Sequence, residues 1–330
     1  ICNNLNLYML NLLYCIDENY NKQAYISIAS ILENTSQEIN VYIIHKSPTS
    51  FQEYRKKLID SENLNNFTLF EFDKNKSGFP NVHGSHVSDA TYYRLFIDDY
   101  LPSEIEYILY VDADIVCKKD ISIDLQNEIV KLKNSDFTIS ARTEVPKVKI
   151  NEPHWERLNL QGQRYFNAGV MLINFKKWKE NDLSKKLQHH LEKIKKVIKY
   201  WDQDVLNSFF DDKFVELNGY LNWNLFLTPS AKQSFLSDKD RDNMILIHYT
   251  GSFKPWTVRG ILNKHSIYYQ DKYFQFFGIK YQIINTWRIG AIIELLKGIV
   301  TLKIFKIKYP FSLIYLTIAS MKKPINSFND

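Results

Sequence analysis

An almost wholly apolar run, Tyr107-Ile108-Leu109-Tyr110-Val111, ends in Asp112-Ala113-Asp114 and resumes as Ile115-Val116. The apolar part is short, β-branched and aromatic, which predicts a buried strand. Such a strand has no cheap place for one charge, let alone two. In extended backbone, side chains two residues apart point the same way, so Asp112 and Asp114 are expected to face one spot at the strand's end. Two carboxylates held that close repel each other unless a cation lies between them. The expectation is a divalent metal that carries a phosphorylated donor. Asp-x-Asp is also frequent in ordinary turns, and this stretch alone leaves both readings open.

The surroundings favour the first. Met9 to Ile16, Val41 to Ile44 and Phe67 to Phe72 are strand candidates, with helices predicted from Ala24 to Leu32 and from Phe51 to Ile59. That alternation is the pattern of a doubly wound, mostly parallel sheet. Ligands bind such sheets at the carboxyl ends of strands, which sets Cys15, Asp17 and Asn19 at the rim of the first one. Asp17 suits a base or ribose there, or a helix N-cap. His83 and His86 have loop spacing that suits a metal or simple solvent exposure. Ala90 to Ile97 reads as a helix whose Arg94 pairs with phosphate or braces the two aspartates. Ile121 to Leu125 reads as a connection and Phe137 to Ala141 as a strand. Arg142 to Leu160 shows no period and contains two prolines, so it reads as a long functional loop, a lid or acceptor loop.

Further on, Tyr165 to Asn174 is a strand candidate in which Gly169 suggests close backbone approach, and Asn167 offers neutral hydrogen bonds to a polyol. Leu183, Leu187, Leu191, Ile194 and Ile198 form a helical stripe with lysines off it. Asp202, Gln203 and Asp204 sit at a helix start, where Asp202 suits a cap. Phe214 to Leu217 and Met244 to Ile247 are strand candidates. His248, Gly251 and Lys254 then lie within a turn braced by Pro255 and Trp256. His248 supplies a neutral nitrogen ligand and Lys254 a point charge for phosphate.

Composition limits the function classes. A net charge of +5, dispersed over the chain, argues against nucleic acid and fits anionic small molecules or an anionic membrane surface. The cysteines, Cys2, Cys15 and Cys117, are odd in number and lack paired spacing, which points to a reducing cytoplasm. The opening residues lack the basic segment of a signal peptide, and no run reaches the roughly 20 apolar residues of a spanning helix. Ile283 to Met321 is apolar and basic, split by Pro310. It reads as a packed helical pair or an amphipathic anchor on a membrane surface.

Four segments carry a resemblance. Tyr110-Val111-Asp112-Ala113-Asp114, Phe166-Asn167-Ala168-Gly169-Val170, Asp202-Gln203-Asp204-Val205-Leu206-Asn207 and the stretch from His248 to Trp256, in that order, resemble glycosyltransferase family 8. The likeness runs from Leu12 to Trp256 and looks closest to bacterial lipooligosaccharide and lipopolysaccharide galactosyl- and glucosyltransferases. It implies a GT-A type α/β fold: a mostly parallel, Rossmann-like sheet with helices on both faces. The catalytic domain would span residues 1–260, with a helical extension over 261–330. It also implies a UDP-hexose donor, galactose or glucose, a glycan or lipid-linked oligosaccharide acceptor, Mn2+ (or Mg2+), and retention of anomeric configuration.

On the family pattern Asp112, Asp114 and His248 are metal ligands. Asp17 and Asn19, with Cys15, match the uracil and phosphate side. Arg94, Asn167 and Asp202 match donor-sugar contacts, with Ala113 and Ala168 beside them. Gln203 matches the amide beneath the anomeric carbon, Gly251 and Lys254 the diphosphate grip, and His86 a position near the acceptor. An amide is a poor nucleophile, so the expected chemistry is front-face attack, with Gln203 and Asp202 positioning the ring. The segment Ser140 to Thr143 lacks an acidic residue that the galactosyltransferase branch carries, which leaves acceptor and hexose open. The rival readings are an inverting or nucleotidyl-transferring enzyme on the same sheet, or a silent glycan-binding protein.

Overall fold

The computed structural model describes residues 7–73, 75–76, 78–80, 88–148, 153–227, 237–284 and 288–320. Its strands are β1 Leu10–Ile16, β2 Ile39–His45, β3 Leu64–Glu71, β4 Tyr107–Val111, β5 Ile115–Cys117, β6 Ile139–Pro146, β7 Arg164–Asn174, β8 Val215–Glu216, β9 Trp223–Asn224 and β10 Leu246–His248. Seven of them form the central sheet, in the order β3-β2-β1-β4-β7-β6-β8. β3, β2, β1 and β4 run parallel. β7 enters antiparallel to both β4 and β6, and β8 lies parallel to β6. The predicted α/β, mostly parallel sheet is present.

Alternation along the inner strands explains why both faces are covered. Leu10, Leu12, Tyr14 and Ile16 of β1 join one core with Tyr107, Leu109 and Val111 of β4, under the helices Asn21–Asn34, Ser122–Lys133 and Ile267–Phe277. Leu13, Cys15, Ile108 and Tyr110 face the other core, covered by the helices Phe175–Glu180, Leu183–Ile194 and Trp201–Phe210 and by the segment Asp89–Asp99. Each strand is thus apolar on both sides, as a sheet between two layers of helix requires.

A second, smaller sheet, β5-β10-β9, packs beside the first. β10 pairs antiparallel with β5 and parallel with β9. The main-chain N–H of Tyr249 donates to the carbonyl of Asp114 at 3.1 Å. This junction brings the residues after Val111 and those after Ile247 to one place.

Several local expectations are corrected. Asp89–Asp99 is a 3-10 segment kinked at Phe96, not an α-helix. Ala90 and Tyr92 through Ile97 are all buried, so no amphipathic stripe selects the α spacing. The connection after Ile121 contains a full helix, Ser122–Lys133, whose Leu125, Ile129 and Leu132 face the core. Arg142 to Leu160 is not one irregular loop. Its start continues β6, with register shifts at Ala141/Arg142 and Thr143/Val145, and Pro153–Leu158 is a short helix. Those bulges break the two-residue period and hide the strand from a pattern reading. Asp112 and Asp114 do not share a strand either: β4 stops at Val111, and a turn carries them into β5.

Beyond Val258 the chain adds a satellite core of Val258, Ile261, Tyr281, Ala291, Leu295, Ile304 and Leu313. Pro310 separates the helices Arg288–Val300 and Pro310–Ser320 by starting the second, where its missing N–H is harmless. Among the described residues no helix is long and apolar enough to cross a membrane.

Candidate active site

A cleft of about 520 Å³ opens over the carboxyl ends of β1 and β4 and the β10 junction. Asp112 stands at its floor. Its Oδ1 accepts from Arg94 Nη2 at 2.9 Å and from the Tyr110 hydroxyl at 2.6 Å. Arg94 is almost fully buried and all three nitrogens of its fork are held. Nη1 donates to the Ala168 carbonyl at 2.6 Å and Nε to the Thr91 carbonyl at 3.1 Å, and Nε also lies 3.0 Å from Asp202 Oδ2. Burial works against the charge on Arg94, but Asp202, Tyr110 and Asp112 outweigh it and hold the guanidinium protonated. Burial pushes the Asp202 carboxyl up to about 6; Arg94 opposes the rise and Asp112 adds to it.

Asp114 and His248 complete the floor. The Oδ2 of Asp114 accepts from Lys254 Nζ at 2.5 Å, and His248 Nε2 lies 3.2 Å from its Oδ1 and 3.9 Å from Asp112 Oδ2. Burial again works against the charge, but Lys254 and His248 prevail and hold the Asp114 carboxyl well below the ordinary carboxylate range. One carboxylate oxygen from each aspartate and one ring nitrogen of His248 all fall within 4.8 Å of one another. Asp114 Oδ1 is buried and has no well-directed hydrogen bond in the protein. A buried acceptor left in that condition is costly unless something binds it. Two carboxylate oxygens with one imidazole nitrogen suit a hard to borderline divalent cation, so the residues present fit a metal.

Gly169 makes the convergence possible. A methyl group there would stand 2.1 Å from His248 Cε1 and 2.8 Å from Asp112 Oδ2. Gly251, at φ +80°, takes a left-handed turn between His248 and Lys254 that other residues resist.

The family model for glycosyl transferase family 8 matches residues 11–259. The chain belongs to that family. It is 32% identical over 281 residues, 81% of this chain and 76% of the relative, to the lipopolysaccharide 1,2-glucosyltransferase of Escherichia coli K12. It is 27% identical to the lipopolysaccharide 1,3-galactosyltransferase of Salmonella typhimurium, over 79% of this chain and 77% of that one. The solved structure of galactosyltransferase LgtC with donor and acceptor sugar analogues covers 75% of this chain and 89% of its own, at a TM-score of 0.58 and 24% identity. That likeness shows the fold, which is of the GT-A type. This family-8 chain is a hexosyltransferase.

Most of the site residues named from the sequence line the cleft of this family-8 enzyme: Cys15, Asp17, Arg94, Asp112, Ala113, Asp114, Asn167, Ala168, Asp202, Gln203, His248, Gly251 and Lys254. Asp17 caps the short turn Glu18–Tyr20 and also faces the cavity; its Oδ2 accepts from the Ser88 hydroxyl. Asn19 does not line the cleft. Its backbone N–H donates to Asp17 Oδ1 at 3.0 Å, so it holds Asp17 in place. Asp202 is no helix cap, for Asp204 takes the free amides of Lys199 and Tyr200 instead. His83 and His86 lie outside the described residues.

The sequence reading missed Glu144. The bulged second half of β6 turns it into the cleft, where its Oε2 accepts from Gln203 Nε2 at 2.9 Å. An acidic side chain therefore does stand in the cleft, one position after Thr143. Gln203 Oε1 accepts from the Ala168 N–H at 3.0 Å, which fixes the amide face. Tyr110, His154, Tyr165 and Tyr200 also line the cavity; Tyr110 and Tyr165 lie in apolar stretches that read as core, and no pattern marks His154 or Tyr200.

Proposed function

We propose that this chain transfers a hexose, galactose or glucose, from a UDP-sugar to a hydroxyl of a glycan acceptor, with retention at the anomeric carbon. The acceptor class best supported is the lipopolysaccharide or lipooligosaccharide core, since the relatives above are named for that chemistry. The observation that carries the reading is the convergence of Asp112, Asp114 and His248 within 4.8 Å at the floor of a cleft whose walls also hold Gln203.

Asp112, Asp114 and His248 would hold Mn2+. Such an ion supplies positive charge against the leaving diphosphate. Lys254, on a flexible stem beside Asp114, reaches for the same oxygens as a point charge. Asp17 binds the ribose or base side at the rim of β1. Arg94, locked between Asp112 and Asp202, presents both carboxylates in fixed positions, and Asn167 and Asp202 hold the hexose hydroxyls. Double displacement needs a free carboxylate at the far face of the sugar. The residue that the family pattern puts there is an amide, Gln203, which Ala168 and Glu144 hold in place. Front-face attack fits better: the acceptor hydroxyl enters beside the leaving oxygen, a phosphate oxygen takes its proton, and Gln203 and Asp202 steady positive charge on the ring.

The helical extension presents Leu296, Val300, Leu302, Phe305, Phe311, Tyr315 and Ile318 to the outside, among Lys297, Lys303, Lys306 and Lys308. We read this face as contact with an anionic membrane surface on the cytoplasmic side, where a lipid-linked acceptor would lie. Truncation after residue 287 should release the protein from anionic liposomes; unchanged binding refutes that part.

The deciding experiment is UDP release from UDP-Gal, UDP-Glc and UDP-GlcNAc, with and without Mn2+, followed by the stereochemistry of the product. An inverted product sinks the mechanism. Absence of turnover with every donor favours a silent glycan-binding protein. Turnover left intact by Asp202→Asn or Gln203→Ala overturns the roles given to those residues.

A further inference from the structure

Behind His248 lies a row of neutral amides that no charge pattern marks. Asn222 is fully buried at the end of the turn Gly219–Asn222, just before β9, which pairs with β10. Its backbone carbonyl is held by Arg142 Nη1 at 2.5 Å. Its side chain lies between two residues of the site. Asn222 Nδ2 donates to Asn167 Oδ1 at 3.0 Å, and Asn222 Oδ1 stands 3.0 Å from His248 Nδ1.

The direction of this row follows from the backbone. The Gly169 N–H is only a donor, and it points at Asn167 from 3.0 Å, so that side of Asn167 must be the oxygen. The same oxygen faces Asn222, which must therefore present its NH2 group. The other end of the Asn222 amide is then the carbonyl oxygen. An oxygen 3.0 Å from His248 Nδ1 requires a proton on that nitrogen. With the proton on Nδ1, the lone pair of the neutral ring sits on Nε2, the atom that faces Asp114 and Asp112. The opposite tautomer would set two lone pairs against each other at Asn222; the tautomer with the proton on Nδ1 turns the Nε2 lone pair toward Asp114 Oδ1 at 3.2 Å, a contact that a cation between the two relieves.

We propose that Asn222 is a positioning residue that fixes the tautomer and ring orientation of His248, so that Nε2 is presented as a metal-ligating nitrogen. This rests on the metal site proposed above and deepens it. Gly169 thereby acts twice: its missing side chain makes room for His248, and its N–H sets the proton on that ring through two amides. Asn167, whose oxygen is occupied by both partners, is left with its NH2 group for the cleft.

The test begins with metal-free wild-type protein carrying nitrogen-labelled histidine. NMR should find His248 protonated on Nδ1 in its neutral form; protonation on Nε2 overturns the proposal whether or not the protein binds metal. Mn2+ is then titrated in the presence of UDP. Asn222→Leu, which keeps the branched shape and loses both hydrogen bonds, should weaken Mn2+ binding about 10- to 100-fold. Asn222→Asp keeps an oxygen toward Nδ1 but sets a second oxygen against Asn167 Oδ1, so it should recover part of the affinity lost in Asn222→Leu. In a His248→Ala background, Asn222→Leu should change Mn2+ affinity by less than about two-fold, because the ring it acts through is gone. An equal loss in both backgrounds means a purely structural effect and overturns the proposal, as does unchanged affinity in the single variant. If wild-type protein binds no Mn2+, the metal reading fails, and the tautomer measurement still decides the role of Asn222.

Discussion

Replacing Gly169 with alanine adds one methyl group and nothing else. The glycine does not occupy the left-handed region, so alanine can adopt the same backbone, and the conflict lies wholly with the groups the new carbon meets. It would stand 2.1 Å from His248 Cε1, 2.9 Å from His248 Nδ1 and 2.8 Å from Asp112 Oδ2. Two carbons rest at about 3.5 Å, so the imidazole must retreat by about 1.4 Å. The strand cannot retreat in its place, since the Asp112 N–H donates to the Gly169 carbonyl at 2.8 Å and Ala168 and Val170 are buried on either side. Metal-ligand distances tolerate about 0.2 Å, so the ring leaves the site. Overpacking of this kind costs about 1–3 kcal/mol. The expected result is a lower Tm, by at most roughly 2–4 °C per kcal/mol, the scale of somewhat shorter chains. Loss of a ligand should weaken Mn2+ binding by at least the roughly 10- to 100-fold typical of its supporting shell. Scanning fluorimetry reads the first and Mn2+ titration with UDP the second. A Gly169→Ala protein with wild-type Mn2+ affinity would refute the argument that this glycine makes room for the ligands.

Arg94→Met leaves the buried Asp202 and the partly exposed Asp112 without their shared cation, and should cost up to about 3–5 kcal/mol in denaturant unfolding; a loss below about 1 kcal/mol would mean the carboxylates find other partners. Lys254→Met removes the ammonium that sits on Asp114, so Mn2+ alone should bind more tightly while UDP binds less tightly; weakening of both would show that Lys254 does not compete for Asp114. Asp202 titrates near 6 in the fold against 3.8 as its ordinary value, so the folded metal-free protein holds a proton across that window that the unfolded chain has released. Stability relative to Asp202→Asn should therefore fall as pH rises from 3.8 to about 6, by up to roughly 1.4 kcal/mol per pH unit; a flat difference refutes it.

The sheet was legible because its inner strands are apolar on both faces and its helices alternate with them. The convergence of Asp112, Asp114 and His248 was legible too, though not for the reason the strand argument supplied. Asp112 shares its face with Tyr110, as two-residue spacing requires, but Asp114 reaches the same spot through a turn and the pairing of β5 with β10. No local pattern encodes that pairing. Glu144 was hidden by the bulges in β6, which turn a residue toward the cleft without leaving a periodic trace. Asn222 was hidden by chemistry: a neutral amide in a short turn looks like any other turn residue until its two hydrogen bonds are seen. The Ala90 to Ile97 segment shows the converse, since its burial on all sides erased the stripe that separates α from 3-10 geometry.

The charges of the cleft impose one more condition. Its described walls carry the carboxylates of Asp17, Asp112, Asp114, Glu144 and Asp202 against the cations of Arg94 and Lys254. Neither cation is idle: Arg94 is held by Asp112 and Asp202, and Lys254 by Asp114. The net charge of +5 draws anions toward the protein at long range, yet a diphosphate that reaches the floor meets an excess of negative charge. Nucleotide and divalent cation should therefore bind in concert. Linkage requires the factor by which Mn2+ tightens UDP to equal the factor by which UDP tightens Mn2+. A coupling of about 1–3 kcal/mol, or roughly 5- to 150-fold, is the usual scale. Calorimetric titration of each ligand in the absence and presence of the other measures both factors. Equal UDP affinity with and without Mn2+ would mean that Lys254 alone neutralises the diphosphate, and that the paired aspartates serve the fold and not the donor.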